Sequence, residues 1–146
     1  MSKAESADLI LKLYELRREP VMREARNWMI TFFPESTSDV MQAMINPASS
    51  AYYRMVTTYW DMAASFVLHD AIDEEMFNDA AGEHIVVFSK IEPFLQEIRE
   101  IMGSPRVLKN LEELIMRLPD AQERLAKSRE MMKRMMEARR EMAKAN

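Results

Sequence analysis

The sequence predicts an all-α protein: a compact bundle of six or seven helices with a long C-terminal amphipathic helix. Three observations carry that expectation. Only two glycines occur in 146 residues, and the chain is rich in Ala, Glu, Met, Leu, Arg and Lys, side chains that lose little rotamer freedom in a helix. Prolines stand where a first helical turn tolerates a missing N–H, with Asn46 just before Pro47 and Ser104 just before Pro105. Apolar residues such as Leu9, Leu13 and Leu16 recur at helical spacing.

Taken in order, Ser2 and Glu5 form a capping box that opens a first helix, expected to stop near Glu19. Pro20 opens a second over Val21 to Phe33, carrying Trp28, Met29, Phe32 and Phe33 until Pro34 ends it. Ser36 with Asp39 repeats the cap spacing for a short third helix through Ile45. Asn46-Pro47 starts a long fourth helix to about His69, on which the rows Tyr52, Tyr59, Phe66 and Met55, Met62, His69 predict one broad apolar face. Asp73 caps the next, with Glu74 and Glu75 in its first turn and Ile72 placed to staple onto Phe77. Gly82 and Pro93 interrupt the stretch to Met102, so two pieces or one kinked helix are expected there. Gly103-Ser104-Pro105 stops it and starts a short helix through Leu118. Pro119-Asp120 opens the last, which meets no breaker before Lys144 and would be about 40 Å long. Two units follow: a bundle over residues 1–118, and a Met-rich basic helix over residues 119–146 that packs on the bundle or serves dimerisation.

Composition closes off several functions. Without cysteine there is no disulfide framework, thiolate nucleophile or thiolate zinc site, which suits a cytoplasmic protein. Lys12 and Glu15 break the apolar run of Leu9 to Leu16, so no signal-peptide core is expected, and no apolar stretch is long enough to span a bilayer. The net charge of −4 is modest and mixed, neither that of a basic nucleic-acid binder nor that of an acidic disordered segment.

Two histidines are the first candidates for chemistry, since imidazole is the commonest general base and metal ligand near neutral pH. A metal site would join His69 with Asp73 or Asp70 and bring in His84 beside Glu83. If the flanking helices form a hairpin near Ala71, however, the two imidazoles stand roughly 15 Å apart along the axis. Neither has the glutamate three residues earlier that bundle di-iron sites use. Among carboxylates, Asp61 sits between Trp60 and Met62 and would gain a raised pKa if turned inward; its wheel position instead favours solvent or Arg54. No phosphate loop or nucleophile elbow occurs, so neither enzymatic activity nor a cofactor is expected.

The last helix is the most informative segment. Lys127 to Asn146 carries seven basic and three acidic residues, a local +4 that leaves −8 on the first 126 residues. On a helical wheel Met131, Met132, Met135, Met136 and Met142 share one arc with Leu125, Ser128 and Ala138, interrupted by Arg139. One use of that face is packing on the chain's own core. Another is self-association or an unknown protein partner, with Leu125, Met131, Met132, Met135, Arg139 and Met142 as contacts. Anionic lipid would engage the same cations, but Trp and Phe anchors are missing; nucleic acid is disfavoured by interspersed glutamates and the lack of stacking aromatics.

The run Tyr14-Glu15-Leu16-Arg17-Arg18-Glu19-Pro20, followed by Arg23, Ala25, Arg26 and Trp28, resembles the opening of a family of bacterial all-helical domains of unknown function. The Ile-Asp-Glu-Glu turn from Ile72 to Phe77 and the Pro-containing element from Pro93 to Arg99 are similar too, and the likeness spans about Asp8 to Met102. It implies a helical fold and a bacterial source and assigns no activity. Many members look membrane-tethered by an N-terminal span, and no such span is expected in this sequence. The expected role is therefore non-enzymatic action through protein contacts, with a homodimer foremost. A small-ligand or metal site around His69, Asp73 and His84, and surface binding of anionic lipid or nucleic acid, are the alternatives.

Overall fold

The computed structural model describes residues 2–146. Its α-helices are α1 (Lys3–Arg17), α2 (Pro20–Thr31), α3 (Thr37–Ile45), α4 (Ser50–Leu68), α5 (Glu74–Ala80), α6 (Glu83–Ile91), α7 (Leu95–Met102), α8 (Lys109–Met116) and α9 (Ala121–Ala145), with a 3₁₀ turn at Glu92–Phe94. No strand occurs among the described residues. The bundle has more segments than six or seven because both interior breakers act fully. Ala81 is extended and ends α5, Gly82 starts α6, and Pro93 sits in the 3₁₀ turn that separates α6 from α7.

Local chemistry accounts for most boundaries. Ser2 Oγ accepts from the Glu5 N–H while Glu5 reaches back to the Ser2 N–H, which completes the capping box of α1. Ser36 and Asp73 cap α3 and α5 with a single bond each, accepting from the Asp39 and Met76 N–H. Pro34 drives the preceding residues out of the helical region, so α2 stops at Thr31, two residues short of Phe33. The Asn46 side chain accepts from the Ala48 N–H, which makes Pro47–Ser49 a turn and delays α4 to Ser50. Gly103 adopts φ 65°, and the Ser104 N–H returns to the Arg99 carbonyl in a Schellman closure of α7. Pro105 does not open a helix directly. Leu108 and Asp120 both take left-handed conformations, at φ 52° and 55°, and turn the chain into α8 and α9.

At the centre lies α4, which packs against α2, α3, α5, α6 and α8. Its buried side chains are Tyr53, Val56, Thr57, Tyr59, Trp60, Ala63, Ala64 and Val67. The expected apolar face is thus rotated. Tyr59 is buried, but Met62 and Phe66 are exposed, and His69 stands in solvent at the helix end. The buried positions recur at three- and four-residue spacing, with Tyr53 and Trp60 interleaved between Val56, Ala63 and Val67, so α4 turns this mixed face and not the methionine row to its neighbours. Helix α1 is attached lightly: Ser6 and Leu13 are buried, whereas Leu11, Tyr14 and Leu16 remain exposed. Helix α9 lies along α6 and touches α8 at its start.

A Cβ added to either glycine meets nothing within 4 Å, so their substitution isolates backbone cost. Gly103→Ala is expected to destabilise by about 1 kcal/mol in denaturant unfolding, because φ 65° penalises an L side chain. Gly82→Ala, at φ −142°, should leave stability within about 0.5 kcal/mol of the parent.

Candidate functional site

The fold disperses the candidate metal ligands. His69 is exposed at the C-terminus of α4, while Asp73 caps α5 and pairs with Lys3 at 2.7 Å. His84 is enclosed elsewhere, on α6, between the Trp60 and Phe77 rings at centroid distances of 5.5 and 5.1 Å. Among the described residues no three His, Asp or Glu side chains come together as a metal set.

Asp61 has a structural task that its own helix does not reveal. Its carboxylate accepts from the Leu111 backbone N–H at 2.9 Å and from the Asn110 side chain at 3.3 Å. Leu108, which precedes α8, has no side chain able to cap, so a carboxylate from α4 satisfies that helix start from outside. Neither Arg54 nor open solvent is its partner.

The densest polar arrangement lies where α1, α2, α4 and α6 meet. Arg26 Nε and Nη2 form a fork on the Glu83 carboxylate at 3.0–3.1 Å, and its Nη1 donates to the Arg17 carbonyl at the end of α1. Glu83 also accepts from the Trp60 indole N–H at 3.3 Å. The Tyr59 hydroxyl donates to the Leu13 carbonyl, and burial raises that phenol to about 12. Arg17 lays its guanidinium over the Tyr14 and Trp60 rings, at 5.1 and 5.3 Å from their centroids. Its charge and the surrounding apolar wall act together on His84. Burial, with Arg17 adding repulsion, pushes that imidazole down to about 4, and neither ring nitrogen has a hydrogen-bond partner. Arg26 thereby ties the C-terminal end of α1 to a carboxylate at the start of α6.

Helix α9 carries the remaining candidates. Leu125 is fully buried against the body, Met132 and Met136 are half-buried, and Arg129 Nη1 donates to the Ser89 carbonyl at 2.8 Å. Met131, Met135 and Met142 point away, with exposures of 52%, 53% and 68%. Arg139 is exposed too, which relieves the intrusion of a charge into the wheel's apolar arc. Every residue from Glu137 onward is exposed, so the last two and a half turns or so project beyond the body.

Fold and site define an all-helical bundle locked by a half-buried polar junction, with one helix left standing off its side. The chain belongs to the DUF4760 family, a domain of unknown function whose model matches residues 3–118. The match extends on both sides of the segment in which the resemblance was seen and stops before α9. No curated protein and no solved structure matches the chain. None of the helices described is long and apolar enough to cross a membrane.

Two outcomes test this junction. Glu83→Ala strands both Arg26 and the Trp60 N–H and should lower unfolding free energy by roughly 2–3 kcal/mol in urea, with Arg26→Ala similar. His84 is neutral in the native state down to about pH 4, whereas in the unfolded chain it takes up a proton near 6.5. The unfolded state therefore binds the extra proton, and stability falls as pH drops from 6.5 towards 4, by roughly 3 kcal/mol from this group. His84→Phe should flatten that limb of a melting-temperature profile while leaving the carboxylate titrations in place.

Proposed function

We propose that this chain acts without catalysis, through protein contacts in a cytoplasmic setting, and that its partner is a second copy of itself engaged through the outer face of α9. The observation that carries the reading is the exposed stripe Met131, Met135, Ala138, Met142 and Ala145. These residues alternate at four- and three-residue spacing, the pattern of a two-helix seam. The packed face of the same helix uses Leu125 and Met132, so of the six residues singled out in the sequence the contact narrows to Met131, Met135 and Met142, flanked by Arg139.

Charge favours one orientation. In a parallel pair the seam-flanking Arg134 would stand near Arg139 of the second copy. In an antiparallel pair it stands near Glu141, twice over by symmetry. Separation of His69, Asp73 and His84 speaks against the metal-site alternative, and the absence of Trp, Tyr and Phe from α9 against a lipid one.

Sedimentation or light scattering should find a dimer at high micromolar concentration for the full chain. A monomer should be found for a chain ending at Asp120 and for Met135→Glu with Met142→Glu, the latter with unchanged helicity. A full-length monomer under those conditions would overturn the proposal.

A further inference from the structure

A cavity of about 300 Å³ lies where α9 crosses the α2–α3 link and the end of α6, lined by Phe33, Pro34, Glu35, Lys90, Pro93, Phe94, Arg129 and Lys133. Three cations from two separate helices converge on it, against one carboxylate, and no ion pair among the described residues involves any of them. Lys90 is only 4% exposed. Its ammonium donates to the Met29 and Ile30 carbonyls at 2.6 and 3.1 Å and stands 4.3 Å from the centre of the Phe33 ring, which leaves one N–H uncommitted. Arg129 spends one N–H on Ser89 and keeps the others free.

A buried ammonium without a counter-ion is costly, and structural need alone does not explain it: the Met29 carbonyl already accepts from the Phe32 N–H, and a neutral donor would serve Ile30 as well. Burial accordingly pushes Lys90 down to about 8. Beside it, two aromatic rings and two prolines form a flat apolar wall of the kind that holds a compact hydrophobic group. The volume is at the small end for ligand pockets.

We infer that this cavity binds a small organic oxyanion, a carboxylate or a phosphate ester with a ring-sized apolar group, the anion meeting Lys90, Arg129 and Lys133 and the ring meeting Phe33 and Phe94. Such a ligand bridges α9 and the body. It also supplies the negative charge that Lys90 lacks, so binding near pH 8.5 draws a proton onto the protein. Glu35, the one carboxylate on the rim, is exposed and opposes the anion only weakly.

Calorimetric titration of the full chain with benzoate and with phenyl phosphate, at fixed ionic strength, tests this directly, with benzyl alcohol as the neutral analogue. The expected result is saturable binding of at least one anion, about tenfold or more tighter than the alcohol. At pH 8.5 the heat should vary with buffer ionisation enthalpy in the sense of proton uptake, and ring resonances of Phe33 and Phe94 should shift. Which anion binds separates a carboxylate from a phosphate source. Arg129→Gln with Lys133→Gln should weaken binding by roughly tenfold or more. Lys133→Gln alone, at an exposed position, carries the comparison should the double variant loosen α9. No saturable binding of either anion, equal binding of the alcohol, or undiminished binding in the variants overturns the inference.

Discussion

Burying the Trp60 indole obliges its N–H to find an acceptor inside the body, and the acceptor it meets, Glu83, is a carboxylate that needs a cation in turn. Arg26 supplies that cation and uses its remaining amino group to close the end of α1. One indole thus links four helices through a chain of obligations, each group satisfied only if the next is in place. The geometry is directional where apolar packing is not: it fixes how α1 and α2 turn at Pro20 and where α6 begins after Gly82. Around it, α4 presents a mixed face of aromatic, β-branched and alanine side chains to its neighbours, so the polar junction supplies register and the apolar contacts most of the stabilisation.

Much of this was legible in the chain itself. Helix starts at Ser2, Ser36 and Asp73 and the stop at Gly103 are local chemistry, decided within four or five residues, and the structure places them where spacing puts them, whereas Pro34 ends α2 two residues early. What local chemistry could not show is dependence on another helix. The start of α8 looked like a Ser104-Pro105 cap because nothing near Leu108 hints that Asp61, some fifty residues earlier, supplies the acceptor. The inward face of α4 was misjudged for a related reason. Aromatic and methionine rows dominate a wheel by bulk, yet the face that α2 and α8 cover carries Tyr53 and Trp60 together with Ala63 and Ala64, and only the placement of those distant helices selects it.

The candidate sites divide in the same way. His69 and His84 drew notice as residue types, and the fold sends one to water and the other into an aromatic box. Lys90 is not legible as a buried cation because a lysine in an amphipathic helix ordinarily faces solvent, and only the packing of the end of α2 brings the Met29 and Ile30 carbonyls over it. A weak signal is present in the sequence: Ile85, Val86, Val87 and Phe88 run consecutively apolar through α6 just before Lys90, the composition of a helix covered on more than one face. In the tail, the alternation of half-buried and exposed methionines was a mixture of two faces that only the body of the molecule could separate.

The sulfur atoms of this protein consequently live in two worlds. Met22 and Met29 lie in the dry interior, while Met131, Met135 and Met142 offer their thioethers to whatever the surrounding solution contains. A peroxide reaching the molecule would convert the outer set to sulfoxides long before the inner one, turning a greasy ridge into a polar one at no cost to the fold. The projecting helix is in that sense a redox-erasable surface attached to a body whose interior methionines are shielded.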